Sequence, residues 1–415
     1  MSKLEQLIKE LCPNGVEWKT VEEIFNLKNG YTPSKANKEY WENGTVPWFR
    51  MEDLRTNGNI LNDAVQHIHT SGVRGKLFPA NSIIMATTAT IGEHALITVD
   101  YMSNQQFTNF ALRDDICELI DTKFAYYYFF ILDEKAKQAV NTSSFPSVQM
   151  EQLKKWDFPL PPLPVQEEIV RILDNFTELT AELTAELTAR KKQYDYYRDE
   201  LLTFKDGEAE WKALEEVIIS LKTGLNPRQN FQLNTNDAKG FYVTVREIQN
   251  GNITFFEKTD RVNERALKLI NNRSNLDAGD ILFSGTGTVG RTAVIDKKPV
   301  DWNIKEGVYV IKPMPQVINS RYLSHLLNTD YIVKEYSKKI VGSPVVSLPM
   351  SELKKLTIPI PPLKEQERIV AILDKFDTLT TSISEGLPAE IKARKQQYEY
   401  YRDKLLTFPK VDKGV

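Results

Sequence analysis

The sequence predicts a duplicated chain, in which two globular bodies are held apart by two long helices packed as an antiparallel coiled coil, with a pseudo-two-fold internal repeat. Three observations lead to this fold class. The chain has 415 residues, more than one compact core usually organises. Long stretches recur in the same order. Each copy ends in an apolar stripe at helical spacing.

The repeat covers most of the chain. PPLPVQEEIVRILDNF at 161–176 returns as PPLKEQERIVAILDKF at 361–376, a shift of 361 − 161 = 200 residues. QYDYYRDELLTF at 193–204 returns as QYEYYRDKLLTF at 397–408, a shift of 397 − 193 = 204 residues. EWKTVEEI at 17–24 returns as EWKALEEV at 210–217. Matches of this length in one order indicate duplication, with four residues more in the second helical region.

The first helix is expected to begin near Val165 or Gln166, because proline, here Pro164, favours a helix start. Its apolar residues are spaced mostly by three and four, which is typical of a coiled-coil seam. They are Ile169, Ile172, Phe176, Leu179, Leu183, Leu187, Tyr194, Tyr197, Leu201 and Phe204. A tandem Thr-Ala-Glu-Leu repeat at 180–187 adds a stutter.

The second helix carries the equivalent stripe Ile369, Ile372, Phe376, Leu379, Ile383, Tyr398, Tyr401, Leu405 and Phe408. Gly-Leu-Pro at 386–388 interrupts it. Proline inside a helix costs ~3 kcal/mol, so we expect a kink, or a break with a restart at Pro388. Because this helix ends where a third copy would begin, the two chain termini are expected to lie near each other.

Composition excludes several classes of protein. Apolar residues make up 41% of the chain and no window reaches the ~18 consecutive apolar residues of a membrane span. Cys12 and Cys117 are the two cysteines, so neither a disulfide framework nor a CxxC metal knuckle is expected, and a reduced cytoplasmic setting is favoured. The net charge of −3 argues against a protein that coats DNA unaided.

Motifs that suggest catalysis have simpler interpretations. GTGTVG at 285–290 fits a dinucleotide-binding turn, but a strand-like run follows it where a helix is required, so a turn between two strands is favoured. His67 and His69 are too few ligands for zinc. Glu151 with Lys154, and Glu352 with Lys354, are interpreted as solvated helix faces. The sequence therefore predicts neither a catalytic site nor a metal site.

The bodies carry residues suited to nucleic acid. The stretch 29–60 mixes lysine, arginine and tryptophan with amides and hydroxyls, and 222–230 and 243–261 are similar. Arginine, asparagine, glutamine and threonine read base edges; an ordinary polar loop, with Trp41 and Trp48 in the core, is the alternative. Over 210–358 there are 21 Lys and Arg against 16 Asp and Glu, a net +5, and over 17–159 there are 14 against 18, a net −4.

These features together resemble the specificity subunit of type I restriction–modification systems. The resemblance rests on the doubled PPLxxQExIVxILDxF motif, the Thr-Ala-Glu-Leu repeat and GYTPS…YWENGTVPW at 30–48, and it covers essentially the whole chain. It implies mixed α/β bodies that each read one half of a split site in double-stranded DNA, and a coiled coil that fixes the spacer. The subunit would have no catalysis of its own. It would assemble with two methyltransferase subunits and with restriction (translocase–endonuclease) subunits, and S-adenosylmethionine, ATP and Mg²⁺ would belong to those partners.

The expected organisation is an N-terminal helix at 1–16 closing a cyclic arrangement, recognition domains at 17–159 and 207–359, helical regions at 160–206 and 360–408, and a tail at 409–415. The residues expected to contact DNA are Tyr31, Thr32, Ser34, Lys35, Arg50, Arg55, Thr88, Thr90, Asn226, Arg228, Gln229, Arg246, Arg261, Thr286 and Arg291. The residues expected to dock partners are Gln166, Glu167, Ile169, Leu183, Leu187, Tyr197, Gln366, Glu367, Ile369 and Tyr401.

Two rival functions remain open from the sequence. One is a purely structural adaptor whose two bodies bind protein rather than DNA. The other is an enzyme that uses the glycine-rich turn at 285–290. Because the bodies differ in sequence and in charge sign, the DNA-reading hypothesis further predicts two unlike half-sites and hence an asymmetric target.

Overall fold

The computed structural model describes residues 2–139, 146–227, 230–382 and 385–410. The chain divides into two compact units, and each is described by itself. The first unit comprises Met1–Ala181 and Ala393–Val415, and the second comprises Glu182–Lys392. Each unit therefore contains one body together with parts of both long helical regions. Within the described residues, no helix is both long enough and apolar enough to cross a membrane.

The elements are numbered in chain order. The helices are α1 (Lys3–Leu11), α2 (Val21–Ile24), α3 (Met51–Asn57), α4 (Thr122–Gln138), α5 (Met150–Leu153), α6 (Leu163–Leu201), α7 (Glu264–Ser274), α8 (Ser320–Leu326), α9 (Asp330–Ser337), α10 (Met350–Lys354), α11 (Leu363–Thr381) and α12 (Leu387–Leu405). Short 3₁₀ turns lie at Lys38–Tyr40, Thr70–Gly72 and Leu214–Glu216.

The strands of the first body are β1 (Glu17–Thr20), β2 (Phe25–Asn29), β3 (Val46–Phe49), β4 (Ile60–Leu61), β5 (His67–Ile68), β6 (Ser82–Ala86), β7 (His94–Ile97), β8 (Met102–Ser103), β9 (Phe107–Leu112) and β10 (Asp157–Leu160). The strands of the second body are β11 (Glu210–Ala213), β12 (Ile218–Thr223), β13 (Gly240–Val243), β14 (Ile248–Gln249), β15 (Asn252–Ile253), β16 (Arg261–Val262), β17 (Ile281–Ser284), β18 (Thr292–Val294), β19 (Trp302–Ile304), β20 (Val308–Pro313) and β21 (Thr357–Ile360).

The two bodies share a plan of two packed sheets. The first has a five-stranded sheet in the order β2-β9-β6-β7-β4 and a three-stranded sheet β5-β3-β8. The second has a four-stranded sheet β12-β20-β17-β18 and a three-stranded sheet β16-β13-β19. In both three-stranded sheets the central strand, β3 or β13, has one antiparallel and one parallel neighbour. The mixed α/β fold class is thus confirmed, and the repeat extends into the bodies.

Helix α4 covers the large sheet of the first body because its sequence, TKFAYYYFFILDEKAKQ, is aromatic over two turns. Asp121 caps it by accepting a hydrogen bond from the Phe124 amide at 3.0 Å, which satisfies a donor that a helix start leaves free. Phe25 on β2 meets Phe110, Phe129 and Phe158 edge-on with ring centroids 5.5–5.9 Å apart. This aromatic cluster is the main core of the first unit.

An elbow joins each body to its helix in the same way. β1 pairs antiparallel with β10, and β11 pairs antiparallel with β21. After the two prolines, Gln166 is fully buried and donates to the carbonyls of Leu119 at 2.8 Å and Pro161 at 2.7 Å. Gln366 is equally buried and donates to Val317 at 3.0 Å and Pro361 at 2.8 Å. Both amides fix the angle at which the helix leaves the body.

The helix bounds correct two details of the sequence expectations. Helix α6 starts at Leu163, two residues before Val165, because proline is tolerated in a first helical turn. It ends at Leu201 and α12 ends at Leu405, so Phe204 and Phe408 follow the helices rather than belonging to them.

The expected break in the second helical region is confirmed. Helix α11 ends at Thr381 and α12 begins at Leu387, one residue before Pro388. A Cβ at Gly386 would lie 2.4 Å from the Thr378 carbonyl oxygen, so only glycine allows this close approach of the backbone. Ile383, part of the predicted stripe, lies outside the described residues.

Equivalent aromatic stacks pair the helices inside each unit. In the first unit, Phe176 of α6 stacks on Tyr401 of α12 with centroids 5.7 Å apart. In the second unit, Phe376 of α11 stacks on Tyr197 of α6, also at 5.7 Å. Helix pairing is therefore present in each unit, and an antiparallel coiled coil along the whole length stays a prediction.

The chain ends meet inside the first unit, as expected. The Val16 amide donates to the Pro409 carbonyl at 3.0 Å, and Val16 forms a parallel β-bridge with Lys410. The Lys410 ammonium group lies 5.3 Å from the Trp18 ring centroid and 2.7 Å from the Asp157 carboxylate. Helix α1 is also tied down, since Lys3 pairs with Glu168 at 2.8 Å.

Candidate nucleic-acid interface

A polar cleft of about 680 Å³ opens on the first body. It is called the first cleft and is lined by Thr32, Lys35, Lys38, Trp41, Glu42, Trp48, Arg50, Gln66, Asn104, Gln105 and Gln106. Three cationic side chains face it against one carboxylate. Four carboxamides add hydrogen-bond donors and acceptors, which gives the cleft the chemistry that base edges and phosphates require.

Two tryptophans form the frame of the first cleft. Trp48 on β3 is buried, and its indole donates to the Tyr31 carbonyl at 3.0 Å. Trp41 packs edge-on against it at 5.0 Å and donates to the Ser34 carbonyl at 3.1 Å. These bonds hold the segment 31–35 against β3, so Thr32 and Lys35 are presented from a supported backbone.

Three of the four carboxamides, Asn104, Gln105 and Gln106, come from the turn between β8 and β9, and Gln66 directly precedes β5. Asn104 donates to the Gln106 side-chain oxygen at 3.1 Å and accepts from the Gln106 amide at 3.0 Å, so each fixes the other. The Thr32 hydroxyl donates to the side-chain oxygen of Gln105. Gln105 is exposed, but this hydrogen bond sets the orientation of its side chain before any ligand arrives.

The second body has a smaller cleft of about 350 Å³ at the same place in the repeat. This second cleft is lined by Asn226, Pro227, Leu233, Tyr242, Thr244, Asp260 and Lys305. Tyr242 on β13 donates to the Leu225 carbonyl at 2.8 Å, as Trp48 does to Tyr31. Two equivalent clefts with different linings are thus built on one backbone plan.

The wall after the central strand is anchored by a buried carboxylate in both bodies. Asp53 accepts hydrogen bonds from the amides of Arg50 and Val65, both at 2.6 Å. Glu247 accepts from the Thr244 amide at 2.8 Å and hydroxyl at 2.7 Å. Because both carboxylates are fully desolvated and hydrogen-bonded, they hold the lining residues Arg50 and Thr244 in place.

Of the DNA contacts expected in the first body, Thr32, Lys35 and Arg50 line the first cleft. Tyr31 and Ser34 support it through their carbonyls. The Tyr31 hydroxyl bonds to the Gly72 carbonyl and the Arg74 amide, and burial raises the pKa of this phenol. The remaining three residues are not part of the cleft lining: Arg55 on α3, and Thr88 and Thr90 between β6 and β7.

Of the expected contacts in the second body that the structure describes, Asn226 alone lines the second cleft. Arg246 is exposed and pairs with Asp260 at 3.1 Å. Arg261 lies 4.4 Å over the Phe241 ring, and Thr286 bonds to Ser347. Arg291 donates to the Val245 carbonyl at 3.1 Å. Arg228 and Gln229 lie outside the described residues.

The lining residues outside the stretches that the sequence analysis named are Gln66, Asn104, Gln105, Gln106, Leu233, Tyr242 and Lys305. Of these, residues 104–106 and Lys305 are distant in sequence from the residues after β2 and β12. The signal that identifies them is strand pairing, because β8 and β19 run parallel to β3 and β13 and carry the turn to the cleft.

The docking expectation is corrected for four residues. Gln166, Gln366, Ile169 and Ile369 are fully buried, because the amides brace the elbows and the isoleucines fill the cores. They present no surface to a partner. The other six retain exposure: Glu167 and Glu367 are exposed, Leu183 and Leu187 are half-buried on α6, and Tyr197 and Tyr401 are each 37% exposed.

The glycine-rich segment at 285–290 is a turn between two antiparallel strands, as the sequence predicted, since β17 pairs with β18 across it. His67 bonds to Asp63 at 2.7 Å and His69 to Ser71 at 2.8 Å, so the two imidazoles serve separate local contacts. Glu151 pairs with Lys154, and Glu352 with Lys355 rather than with Lys354, on solvated surfaces.

One titratable cluster in the second unit was not expected. His325 on α8 is buried; its Nε2 lies 3.0 Å from Asp374, and its Nδ1 lies 3.1 Å from the Tyr194 hydroxyl and 3.9 Å from Asp377. Arg321 lies 3.5 Å from the other oxygen of Asp374. Burial raises the pKa of the Asp377 carboxyl. Because each ring nitrogen faces an oxygen atom, the contacts are those of a hydrogen-bonded network that joins α6, α8 and α11.

Two matched bodies with unlike clefts, each carried on paired helices, define a class of two-headed recognition proteins. The chain belongs to the type I restriction–modification DNA specificity family, because a sequence profile of the type I restriction modification DNA specificity domain matches it twice, at residues 13–190 and 208–393. Members of this class are recognition subunits rather than catalytic ones, as the sequence predicted.

Relatives of nearly equal length support this assignment. The specificity subunit of the type I restriction enzyme EcoprrI from Escherichia coli is 40% identical over 93% of both chains. The EcoR124I/EcoR124II specificity subunit, also from Escherichia coli, is 32% identical over 99% of this chain and 98% of its own length.

The fold is also found among solved structures. One match, with a TM-score of 0.66, is to a chain in a solved structure that addresses complex assembly and conformational transition of the type I restriction–modification system. The match covers 95% of this chain and 98% of that chain at 16% identity, so it concerns the fold alone.

Proposed function

We propose that this chain is the DNA-recognition subunit of a type I restriction–modification complex, in which each body reads one half of an asymmetric bipartite site. The observation that carries the proposal is the pair of clefts. They occupy the same place in the two bodies, where Thr32 and Asn226, Trp48 and Tyr242, Arg50 and Thr244 correspond.

The linings favour two unlike half-sites. The first cleft offers three cations and four carboxamides, whereas the second offers Lys305 with Asp260 and a single carboxamide, Asn226. A base pair is recognised by the pattern of donors and acceptors on its groove edge. Two linings with different patterns therefore select different bases, and the site as a whole is asymmetric.

The helices supply the second part of the proposal, a spacer and a docking surface. Each carries an exposed tyrosine pair: Tyr196 is 64% and Tyr400 62% exposed, beside Tyr197 and Tyr401. Exposed tyrosine is enriched at protein interfaces because it buries a large apolar ring and keeps a polar hydroxyl. Two equivalent surfaces would receive two methyltransferase subunits, and restriction subunits would join them.

The chemistry of the complex is assigned to those partners. S-adenosylmethionine, ATP and Mg²⁺ would be bound by the methyltransferase and restriction subunits, and the complex would act in the cytoplasm. This division is supported by the family of the chain and by the chemistry of the clefts, which suits hydrogen bonding to bases.

The test is to express the chain with its methyltransferase subunit in cells that lack other adenine methylation, and to sequence the modified positions. We expect one motif made of two different half-sites separated by a spacer of fixed length. Cells that carry the methyltransferase subunit alone are the control, and we expect no motif there. A palindromic motif, an undivided motif or methylation independent of this chain would contradict the proposal.

A further inference from the structure

Two short turns occupy the same place in the two clefts. In the first body, residues 104–106 join β8 to β9, and the Asn104 amide donates to the Phe49 carbonyl at 3.0 Å. In the second body, residues 305–307 join β19 to β20, and the Lys305 amide donates to the Val243 carbonyl at 2.8 Å. Since Phe49 and Val243 both end the central strand, Gln105 and Glu306 are equivalent residues.

The two side chains are also held by equivalent partners. The Thr32 hydroxyl donates to the side-chain oxygen of Gln105. The side-chain amide of Asn226 donates to a Glu306 carboxylate oxygen at 2.7 Å. Thr32 lies two residues after Gly30 and Asn226 two residues after Gly224, so the supporting residue comes from the same place in each copy.

Close backbone contact sets this geometry. A Cβ at Gly30 would lie 2.3 Å from the Asn104 carbonyl oxygen, and a Cβ at Gly224 would lie 1.8 Å from that of Ile304. Glycine therefore lets each supporting segment rest directly on its turn. Both side chains are exposed and each is oriented by a hydrogen bond. Gln105 lines the first cleft, and Glu306 is held by Asn226, which lines the second cleft. This is the preorganisation that a reading residue needs.

We infer that Gln105 and Glu306 are the equivalent base-reading residues of the two bodies, Gln105 selecting an adenine and Glu306 a cytosine in the major groove. The inference rests on the proposed function. A carboxamide presents a donor beside an acceptor and matches the N7 acceptor and N6 donor of adenine. A carboxylate only accepts, and it matches the N4 amino donor of cytosine.

The local contacts leave both side chains capable of this reading. The oxygen of Gln105 has a second lone pair besides the one that Thr32 uses, and its amide protons point away from that bond. Glu306 has an exposed ion pair with Arg273 at 3.8 Å, which contributes little and can be exchanged. Lys35 and Lys38 line the first cleft together with Gln105, and Lys305, which lines the second, directly precedes Glu306 in the chain, so each reading residue has cations in the same cleft or turn for flanking phosphates.

The experiment uses the complete complex of this chain with its methyltransferase subunits and selects bound DNA from pools randomised in each half-site. Gln105→Glu should replace adenine by cytosine at one position of one half-site, with a preference change of about tenfold or more. Glu306→Gln should do the reverse in the other half-site. Glu118→Gln makes the same exchange as Glu306→Gln but lies outside both clefts, so it is the matched control and should keep the wild-type motif.

The outcomes separate this inference from the proposed function. If the wild-type complex selects a bipartite motif and both variants keep it unchanged, residues 105 and 306 do not read bases and the inference falls while the function stands. If the wild-type complex selects no motif, the proposed function itself fails. A variant that assembles and melts like wild type but loses affinity for every sequence equally also overturns the inference.

Gln105→Ala and Glu306→Ala keep the test decisive if the exchange variants do not assemble. Alanine makes no hydrogen bond, so we expect all four bases to be accepted at one position while the rest of the motif is retained. Unchanged selectivity in these variants would count against the inference as firmly as unchanged selectivity in Gln105→Glu.

Discussion

Gln105, which lines the first cleft, can both donate and accept a hydrogen bond, whereas the equivalent Glu306, which accepts from Asn226 of the second cleft, can only accept. The residues around them differ in role. Lysines can meet phosphates whatever the sequence is, whereas carboxamides and carboxylates discriminate between bases. Under the proposed function, the linings therefore divide into a group expected to set affinity and a group expected to set specificity.

The contribution of the affinity group to DNA binding can be tested at Lys35 and Lys38. Replacing both with glutamine should weaken DNA binding by the complex similarly for all sequences, because each lysine that meets a phosphate releases counterions. The slope of log affinity against log salt concentration should become shallower by about 1 for each lysine. Filter binding or fluorescence anisotropy over a salt series measures this.

The matched control for the lysine pair is Lys137→Gln, an exposed lysine on α4 that pairs with Glu134 and does not line the cleft. It should leave the salt slope unchanged. An unchanged slope in the Lys35→Gln and Lys38→Gln double variant would mean that the first cleft does not face the phosphate backbone.

Sequence reasoning found Lys35, Arg50, Thr32 and Asn226 because they stand in stretches rich in cations, amides and hydroxyls. It could not find Gln105 or Glu306. Both follow very short strands in segments without a distinctive pattern, and their equivalence depends on which strands pair. Sheet pairing between distant segments is a long-range property that local spacing does not encode.

At the scale of elements, the sequence predicted the position of both elbows, but it did not predict that their glutamines brace the fold. The doubled PPLxxQExIVxILDxF motif predicted a helix after a proline-rich bend in both copies, and both are present. The glutamines of this motif were expected to dock partners, but the side-chain amides of Gln166 and Gln366 donate hydrogen bonds to backbone carbonyls inside the protein. A polar side chain in a motif can serve a buried backbone as readily as a partner, and sequence alone does not separate the two.

The junction of α1 with α6 gives a pH-dependent prediction. Hydrogen bonds from Arg171 and Lys3 lower the pKa of buried Glu168 to about 2, below its ordinary value of 4.5. A lowered carboxyl pKa stabilises the folded state above the ordinary value, and that stability is lost as pH falls from 4.5 towards 2. Both cations are exposed, so screening limits the contribution to about 1 kcal/mol.

Glu168→Gln should therefore lower the urea midpoint of unfolding at pH 7 and show a smaller further loss than wild type between pH 5 and pH 3. The neighbouring exposed residue supplies the control, since Glu167→Gln should change neither quantity. A Glu168→Gln variant as stable as wild type at pH 7 would show that the ion pairs add nothing to the junction.

At the scale of the whole molecule, the proposed function makes the helical regions the spacer between the two half-sites. Helix α6 runs without interruption from Leu163 to Leu201, whereas the second region is broken between Thr381 and Leu387. The four additional residues of the second copy fall between Phe376 and Gln397, the interval that contains the break. The length of α6 is thus the simpler variable to change, and its tandem Thr-Ala-Glu-Leu repeat provides a natural step.

Deleting residues 180–183 removes one repeat and shortens α6 by about 6 Å, with a rotation of about 40°. Base pairs rise ~3.4 Å along a duplex, so we expect the spacer of the methylated motif to shorten by one or two base pairs while both half-sites keep their bases. Replacing Thr184 and Glu186 with alanine keeps the helix length and should leave the spacer unchanged. Methylated-site sequencing of the three complexes decides the matter: altered half-site bases with an unchanged spacer would show that the helix does not act as the ruler.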